Sequence, residues 1–187
     1  VGVVDTSIVG HLADAAAIGG FAIGSMLFGL MYWCFGFLRI GTSGMVAQAY
    51  GRRDIQTQSN IFFQSVLFAV SGAAFLLLVQ WPFYTAVMAI VPCSDAVRAF
   101  THDYFFIRIW AAPATLLLMT FKGFFIGEQN ALASLVLDLT VNVVNILASI
   151  VLALCTPMGV TGVIYGTLIA QYSGLVVVLI VMIVRYR

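Results

Sequence analysis

The sequence predicts an all-α polytopic membrane protein, and the prediction rests on composition, on a series of apolar runs of membrane-spanning length, and on the few polar groups set inside those runs. Hydrophobic residues make up 63% of the 187 and charged residues only 8%, with a mean hydropathy of +1.10, whereas a soluble domain carries about 25% charged residues. A formal net charge of +1 and no basic run exclude a nucleic-acid partner, because phosphate binding needs clustered Lys and Arg. Cys34, Cys93 and Cys155 are odd in number and far apart, which implies neither a disulfide framework nor metal-ligand spacing; they read as small apolar fillers.

The elements follow in chain order within a single transmembrane domain, residues 1–187. Residues 1–10 are apolar but too short to cross a hydrocarbon core of about 30 Å. The chain opens on Val1 without the basic leader of a signal peptide, so this run reads as the rest of a helix whose start is missing. Five complete spans are expected after it, at about 15–50, 60–81, 97–126, 131–154 and 162–184. Asp14 is a plausible N-cap and Gly51 a stop for the first of these. That helix is longer than a bilayer is thick, so it tilts or extends into water. Pro82 is expected to end the second span, and Pro113 to kink the third.

Basic residues orient the bundle. Connections alternate sides, which groups the Gly51-Arg52-Arg53-Asp54 turn, the connection from Lys122 to Asn130 and the end at Arg185-Tyr186-Arg187. That side holds Arg52, Arg53, Lys122, Arg185 and Arg187, five of the eight basic residues, and the opposite loops hold only Arg98. The positive-inside rule makes the first side cytoplasmic, which places the chain in a cytoplasmic (inner) membrane as a multi-pass protein. Arg39 reads as an interfacial snorkelling residue or one half of a gating ion pair, and Arg108 as a structural residue able to stack on Tyr104.

Candidate functional residues are the polar groups in apolar runs. Asp5 lies inside the opening segment; a carboxylate there costs roughly 2.5–3.5 kcal/mol on insertion scales and is a functional-site hypothesis by default. Asp138, Asn142, Asn145 and Ser149 are spaced 4, 3 and 4 and share one helix face. Such a stripe serves either interhelical hydrogen bonding, worth ~0.6–2 kcal/mol per contact, or a cavity. Gly162, Gly166, Ala170 and Gly174 recur every fourth residue of the last span as a groove for close packing. Thr167 and Gln171 lie one position round from it and are candidates to line the same cavity.

An enzyme reading also exists. Gly41-Thr42-Ser43-Gly44 matches the Gly-x-Ser-Gly of rhomboid-type intramembrane serine proteases. Such a serine needs a His base within hydrogen-bond reach, and His11 and His102 both fall toward the outer surface, away from Ser43. The expectation is that the chain is not an enzyme.

The densest set of motifs is Val4-Asp5-Thr6 with Val9-Gly10-His11-Leu12 and Asp14-Ala15, then Tyr32-Trp33, Phe35-Gly36-Phe37-Leu38-Arg39, Gly41-Thr42-Ser43-Gly44 and Ala47-Gln48-Ala49-Tyr50-Gly51-Arg52-Arg53-Asp54. Together they resemble the multidrug and toxic compound extrusion (MATE) transporters, in their DinF-like branch. The resemblance implies twelve helices in two six-helix lobes, with this chain as the N-terminal lobe lacking its first residues and its C-terminal partner lobe. It also implies export of small molecules, cationic or amphipathic drugs among them, against inward protons or sodium ions, with no cofactor and no bound metal beyond that coupling ion. The ion-coupling Asp of the family falls on Asp5, and Asn145 on an Asn that relatives follow one turn later with Asp, where this chain has Ser149. Thr167 matches a cavity position of the sixth helix. The reading is alternating-access antiport through a cavity lined by Asp5, Asn142, Asn145, Thr167 and Gln171, with Ser149 and Asp138 in the same stripe. The competing class is a structural or lipid-handling membrane module, in which intramembrane carboxylates merely pair with Arg108 or backbone groups.

Overall fold

The computed structural model describes residue 7, residues 15–154 and residues 160–185. The described residues form eight α-helices and one 3₁₀ turn: α1 (Ala15–Cys34), α2 (Phe37–Gly51), α3 (Ile55–Leu78), α4 (Gln80–Ile90), α5 (Asp95–Arg108), the 3₁₀ turn Ile109–Ala111, α6 (Ala112–Gly127), α7 (Ala131–Leu154) and α8 (Val160–Arg185). Five stretches among them are long and apolar enough to cross a membrane, at Ile18–Gly51, Ile55–Leu78, Asp95–Gly127, Ala131–Leu154 and Gly162–Arg185.

Three sequence expectations are corrected by local backbone physics. The run 15–50 is two helices, because the amides of Phe35 and Gly36 bond three residues back, to Tyr32 O and Trp33 O at 3.1 Å, tightening the coil and breaking the i to i−4 ladder. The second span begins at Ile55 rather than near residue 60, and Pro82 does not end helical structure: it sits in the first turn of α4, where a helix leaves its amide protons unused anyway. Lys122 lies inside α6, which runs on to Gly127, so the connection is only Glu128–Asn130. Pro113 stands in the first turn of α6. Having no N–H, it cannot bond back to Ile109 O, and the three residues before Ala112 form the 3₁₀ turn.

The turns α2–α3 and α6–α7 have one design. In each the left-handed position is held by a non-glycine residue, Arg53 (φ 55) or Gln129 (φ 60). The following amide reaches five residues back, Asp54 N to Ala49 O at 3.0 Å and Asn130 N to Phe125 O at 2.8 Å, closing a Schellman motif. That same residue then caps the next helix: Asp54 accepts from Thr57 N at 3.0 Å and Asn130 Oδ1 from Ala133 N at 3.2 Å. The hydroxyl and amide of Thr57 hold the Asp54 carboxyl below the usual carboxylate range. A lowered folded-state pKa means that the cap's contribution is complete above the ordinary Asp range and is lost as pH falls through the lowered value. Asp54→Ala should therefore lower the melting temperature at neutral pH and narrow the gap to wild type in strong acid, while Asp54→Asn, which still caps, should change it little; scanning fluorimetry across pH checks both.

α6 is the axis of the bundle. Ten of its 16 residues are buried, as expected of a helix that is apolar all round. α2 runs parallel beside it: a Cβ at Gly123 would stand 2.6 Å from Arg39 O, and one at Gly127 2.8 Å from Ser43 O. The α2–α3 contact carries a buried hydrogen bond from Thr42 Oγ1 to Ser65 Oγ at 2.9 Å. α1 and α5 are likewise parallel, with Gly20 against Phe100 and Gly24 against Tyr104. One cluster of buried side chains centres on Phe28, Tyr104, Phe105 and Leu116, another on Val46, Phe121, Phe125 and Val141. The outer surface is apolar, with Leu78, Ile90, Ile55 and Leu132 largely exposed; hydrocarbon tolerates such a surface and water does not.

Candidate functional site

α7 and α8 make the most extensive helix contact of the bundle, and the small residues of α8 explain it. A Cβ at Gly162 would fall 2.6 Å from Leu152 O, at Gly166 2.6 Å from Ser149 Oγ and at Gly174 2.4 Å from Val141 Cγ2. The antiparallel backbones thus touch along a seam that only glycine permits.

That seam divides the polar stripe of α7. Asn145 and Ser149 are fully buried within it. Asn145 donates from Nδ2 to Thr167 Oγ1 at 3.3 Å, and Thr167 in turn donates to Val163 O at 3.3 Å. The carbonyl oxygen of Asn145 is buried with no hydrogen-bond partner among the described residues. Asn142 and Asp138 stand to one side, both partly exposed. Asn142 Nδ2 donates to Asp138 O at 2.8 Å, and the Asp138 carboxylate is ion-paired with Lys122 of α6. Gln171, one turn along from Thr167, is half-buried. Leu147 and Ile150 face outward, on the side of α7 away from the buried Asn145 and Ser149. Expected as one cavity lining, it is two constellations: Asn145, Ser149 and Thr167 inside the seam, and Asp138, Asn142 and Lys122 beside it. Asp5, and the opening segment at 1–10 apart from residue 7, lie outside the described residues.

Lys122 is the residue that sequence reasoning missed. Lys122 and Asp138 lie at similar distances from the turn Glu128–Asn130, on antiparallel helices, so the spacing itself put the two charges at one depth. An unpaired charge at a helix centre costs roughly 2.5–3.5 kcal/mol, less toward the interface. Lys122→Met or Asp138→Leu alone should therefore reduce the amount of protein inserted in membranes, and the double variant, which leaves no orphan charge, should recover most of it. Quantitative immunoblotting of membrane fractions measures this; a double variant as poor as the singles would show that the pair contributes more than mutual neutralisation.

Arg108 is also accounted for. Its guanidinium donates to the Tyr104 hydroxyl and lies 5.1 Å from the Phe28 ring centroid and 5.4 Å from that of Tyr104, a cation–π arrangement. It does not pair with Asp138. Ser43 and His102 are not brought together: Ser43 O lies beside Gly127, whereas His102 packs among Trp81, Tyr84 and Phe106. The 25 residues of helix between 102 and 127 separate them by about 35–40 Å, so Ser43 and His102 form no catalytic pair; His11 lies outside the described residues.

Comparison with known proteins agrees with this architecture. The family model described as MatE matches residues 1–151. The chain is 32% identical over 176 residues to the DNA damage-inducible protein F of Escherichia coli (strain K12), covering 94% of this chain and 38% of that protein. Among solved structures, the outward-facing conformation of a multidrug resistance MATE family transporter of the MOP superfamily superposes with a TM-score of 0.88 at 16% identity, over 95% of this chain and 39% of that one. The inward-facing conformation of a MATE family transporter gives 0.75 at 19% identity, over 88% and 37%. Five spans, a six-helix-lobe fold shared with these transporters and a family match across most of its length establish that the chain belongs to the MATE family and has the fold of its N-terminal lobe.

Proposed function

We propose that the transporter containing this chain is a secondary active exporter, moving small drugs or metabolites out across the cytoplasmic membrane in exchange for protons by alternating access. The observation that carries the reading is the Asn145 side chain, fully buried in mid-span, bonded through Nδ2 to Thr167 and left with an unmet carbonyl oxygen among the described residues. An unsatisfied buried acceptor costs about 1–3 kcal/mol. A protonated carboxyl group donates a hydrogen bond, and an ionised one only accepts. In this reading a neutral Asp5 would supply a donor to such an acceptor and an ionised Asp5 would be repelled by it, so proton binding would alter the polar balance at the α7–α8 seam. Substrate occupies the space beside the seam, at Asn142, Gln171 and Asp138, while Asn145, Ser149 and Thr167 act from within it. The turns bearing Arg52 and Arg53 face the cytoplasm.

A sodium-coupled version has one observation in its favour, since an unmet carbonyl oxygen is also a ligand for a hard cation. Proteoliposomes of a full-length transporter containing this chain separate the two. Export of a cationic dye should follow an imposed proton gradient and ignore a sodium gradient; the reverse result replaces the coupling ion, and no export under either gradient removes the transport reading. Because alternating access needs two bodies rocking about a site between them, residues 1–187 alone should move no dye.

A further inference from the structure

The ion pair between Lys122 of α6 and Asp138 of α7 has an open side. The two side chains are 25% and 49% exposed, although they stand five and seven residues, about 8–10 Å, from the ends of their helices at Gly127 and Ala131. Charges at that depth do not face hydrocarbon, so the open side belongs to the space beside the α7–α8 seam in which the antiport reading puts substrate. Lys122 Nζ sits on Oδ1 of the carboxylate, whereas Asn142 donates to the backbone oxygen of Asp138 and not to its side chain. Among the described residues neither charge has a second partner. Apolar side chains flank the pair one turn away, Met119 on α6 and Leu135 on α7, the latter 54% exposed.

We propose that Lys122 is a tethered competitor for substrate: with no solute bound its ammonium occupies the Asp138 carboxylate, and a lipophilic amine in its protonated form displaces it. The proposal rests on the antiport reading for where substrate lies and adds the chemistry that selects it. An incoming ammonium takes over the carboxylate as Lys122 leaves, so Asp138 is at no stage a charge without a partner. The exchange is accessible because an ion pair partly open to water is held weakly. Lys also carries its charge as a compact head on a flexible four-carbon stem, which can swing toward the nearby helix end and keep the ammonium in water. A neutral molecule of the same shape cannot displace Lys122, since nothing would then pair with Asp138. The pair thus acts as a threshold that admits charged amines and leaves out the neutral apolar solutes that share the membrane with them.

The chain spans 38% of the length of its relative from Escherichia coli, so the test uses a full-length transporter containing it, held in nanodiscs with no gradient. Binding is read by fluorescence polarisation of doxorubicin, a fluorescent polycyclic drug with one primary amine that is protonated at neutral pH, and of its N-acetyl derivative, which keeps the rings and loses the charge. Wild type should bind doxorubicin the more tightly of the two. Lys122→Gln, which removes the competitor and leaves the carboxylate, should tighten doxorubicin about 5-fold and leave the derivative unchanged. Lys122→Arg, whose guanidinium can hold a carboxylate through two parallel hydrogen bonds, should weaken doxorubicin by a similar factor. Asp138→Asn should erase the preference for the charged form. A pair with a structural role alone would shift both compounds together, whichever residue is changed. Should Lys122→Gln insert poorly, Lys122→Arg keeps the pair and carries the test. Shifts of the same sign in the two Lys122 variants, equal shifts for the two compounds, or a preference for doxorubicin that is absent from wild type or survives Asp138→Asn would each overturn the proposal. Because binding is read without a gradient, such a result leaves gradient-driven export standing, and a loss of export leaves the binding pattern interpretable.

Discussion

Asp5→Asn in a full-length transporter should insert and fold at wild-type levels and lose gradient-driven export altogether. Asn keeps the shape of Asp and one hydrogen-bond donor, so in the proposed arrangement it would permanently satisfy the carbonyl oxygen of Asn145, which has no partner among the described residues. What it removes is the alternation between a donor and a charged acceptor, on which the proposed coupling depends. The variant is expected to bind dye and to be held in the state that protonated Asp5 favours, with export no faster than in empty vesicles. Asp5→Glu restores a titrating group on a longer arm and should return part of the rate with a displaced pH profile. Export by Asp5→Asn at the wild-type rate across about pH 6–8, at matched expression, would remove Asp5 from the mechanism; that window is the one a buried carboxyl has to titrate in to serve as a carrier.

Gly166→Val should have the largest effect on the fold. The Cβ alone would come within 2.6 Å of Ser149 Oγ and 2.8 Å of Ser149 N, and backbone cannot rotate away as the end of a side chain can. α7 and α8 would have to separate, which costs about 1–3 kcal/mol or more in overpacking. Separation also lengthens the Asn145–Thr167 hydrogen bond, already 3.3 Å, and so removes the polar contact along with the apolar one. Folded yield and melting temperature in detergent should both fall sharply, Gly166→Ala should lie between, and Ile169→Val, on the exposed side of the same helix, should match wild type. A Gly166→Val protein that melts with wild type would mean that the seam contributes little.

The overall fold was legible because hydrocarbon imposes so few solutions: apolar runs of about 20 residues become helices, and basic turns take one side. The small-residue spacing on α8 was legible for the same reason, since Gly162, Gly166 and Gly174 can serve close approach and little else. What escaped was set by hydrogen bonds two or three residues long. The break at Phe35–Gly36 and the restart of helix through Pro82 depend on which amide finds which carbonyl, and composition carries no record of that. The polar stripe was legible as a stripe but not as a division, because whether Asn145 faces a seam and Asn142 its margin depends on the partner helix. Lys122 was hidden by a boundary error of a few residues: placed in a connection, it needed no partner, and placed in α6, it needs Asp138.

The breaks in the two long parallel helices do not coincide. Glycine contacts pair Gly24 with Tyr104, Gly123 with Arg39 and Thr42, and Gly127 with Ser43 and Val46, a registry in which the Phe35–Gly36 interruption lies beside the continuous coil of α6 and the Ile109–Ala111 interruption beside the continuous coil of α1. Staggered joints in adjoining beams splint one another: each weak point is bridged by an intact neighbour, and neither beam can fold without shearing the other. This pair of helices is thus built as a single stiff body, and in the proposed alternating-access cycle the motion has to be taken up where the lobe meets what surrounds it.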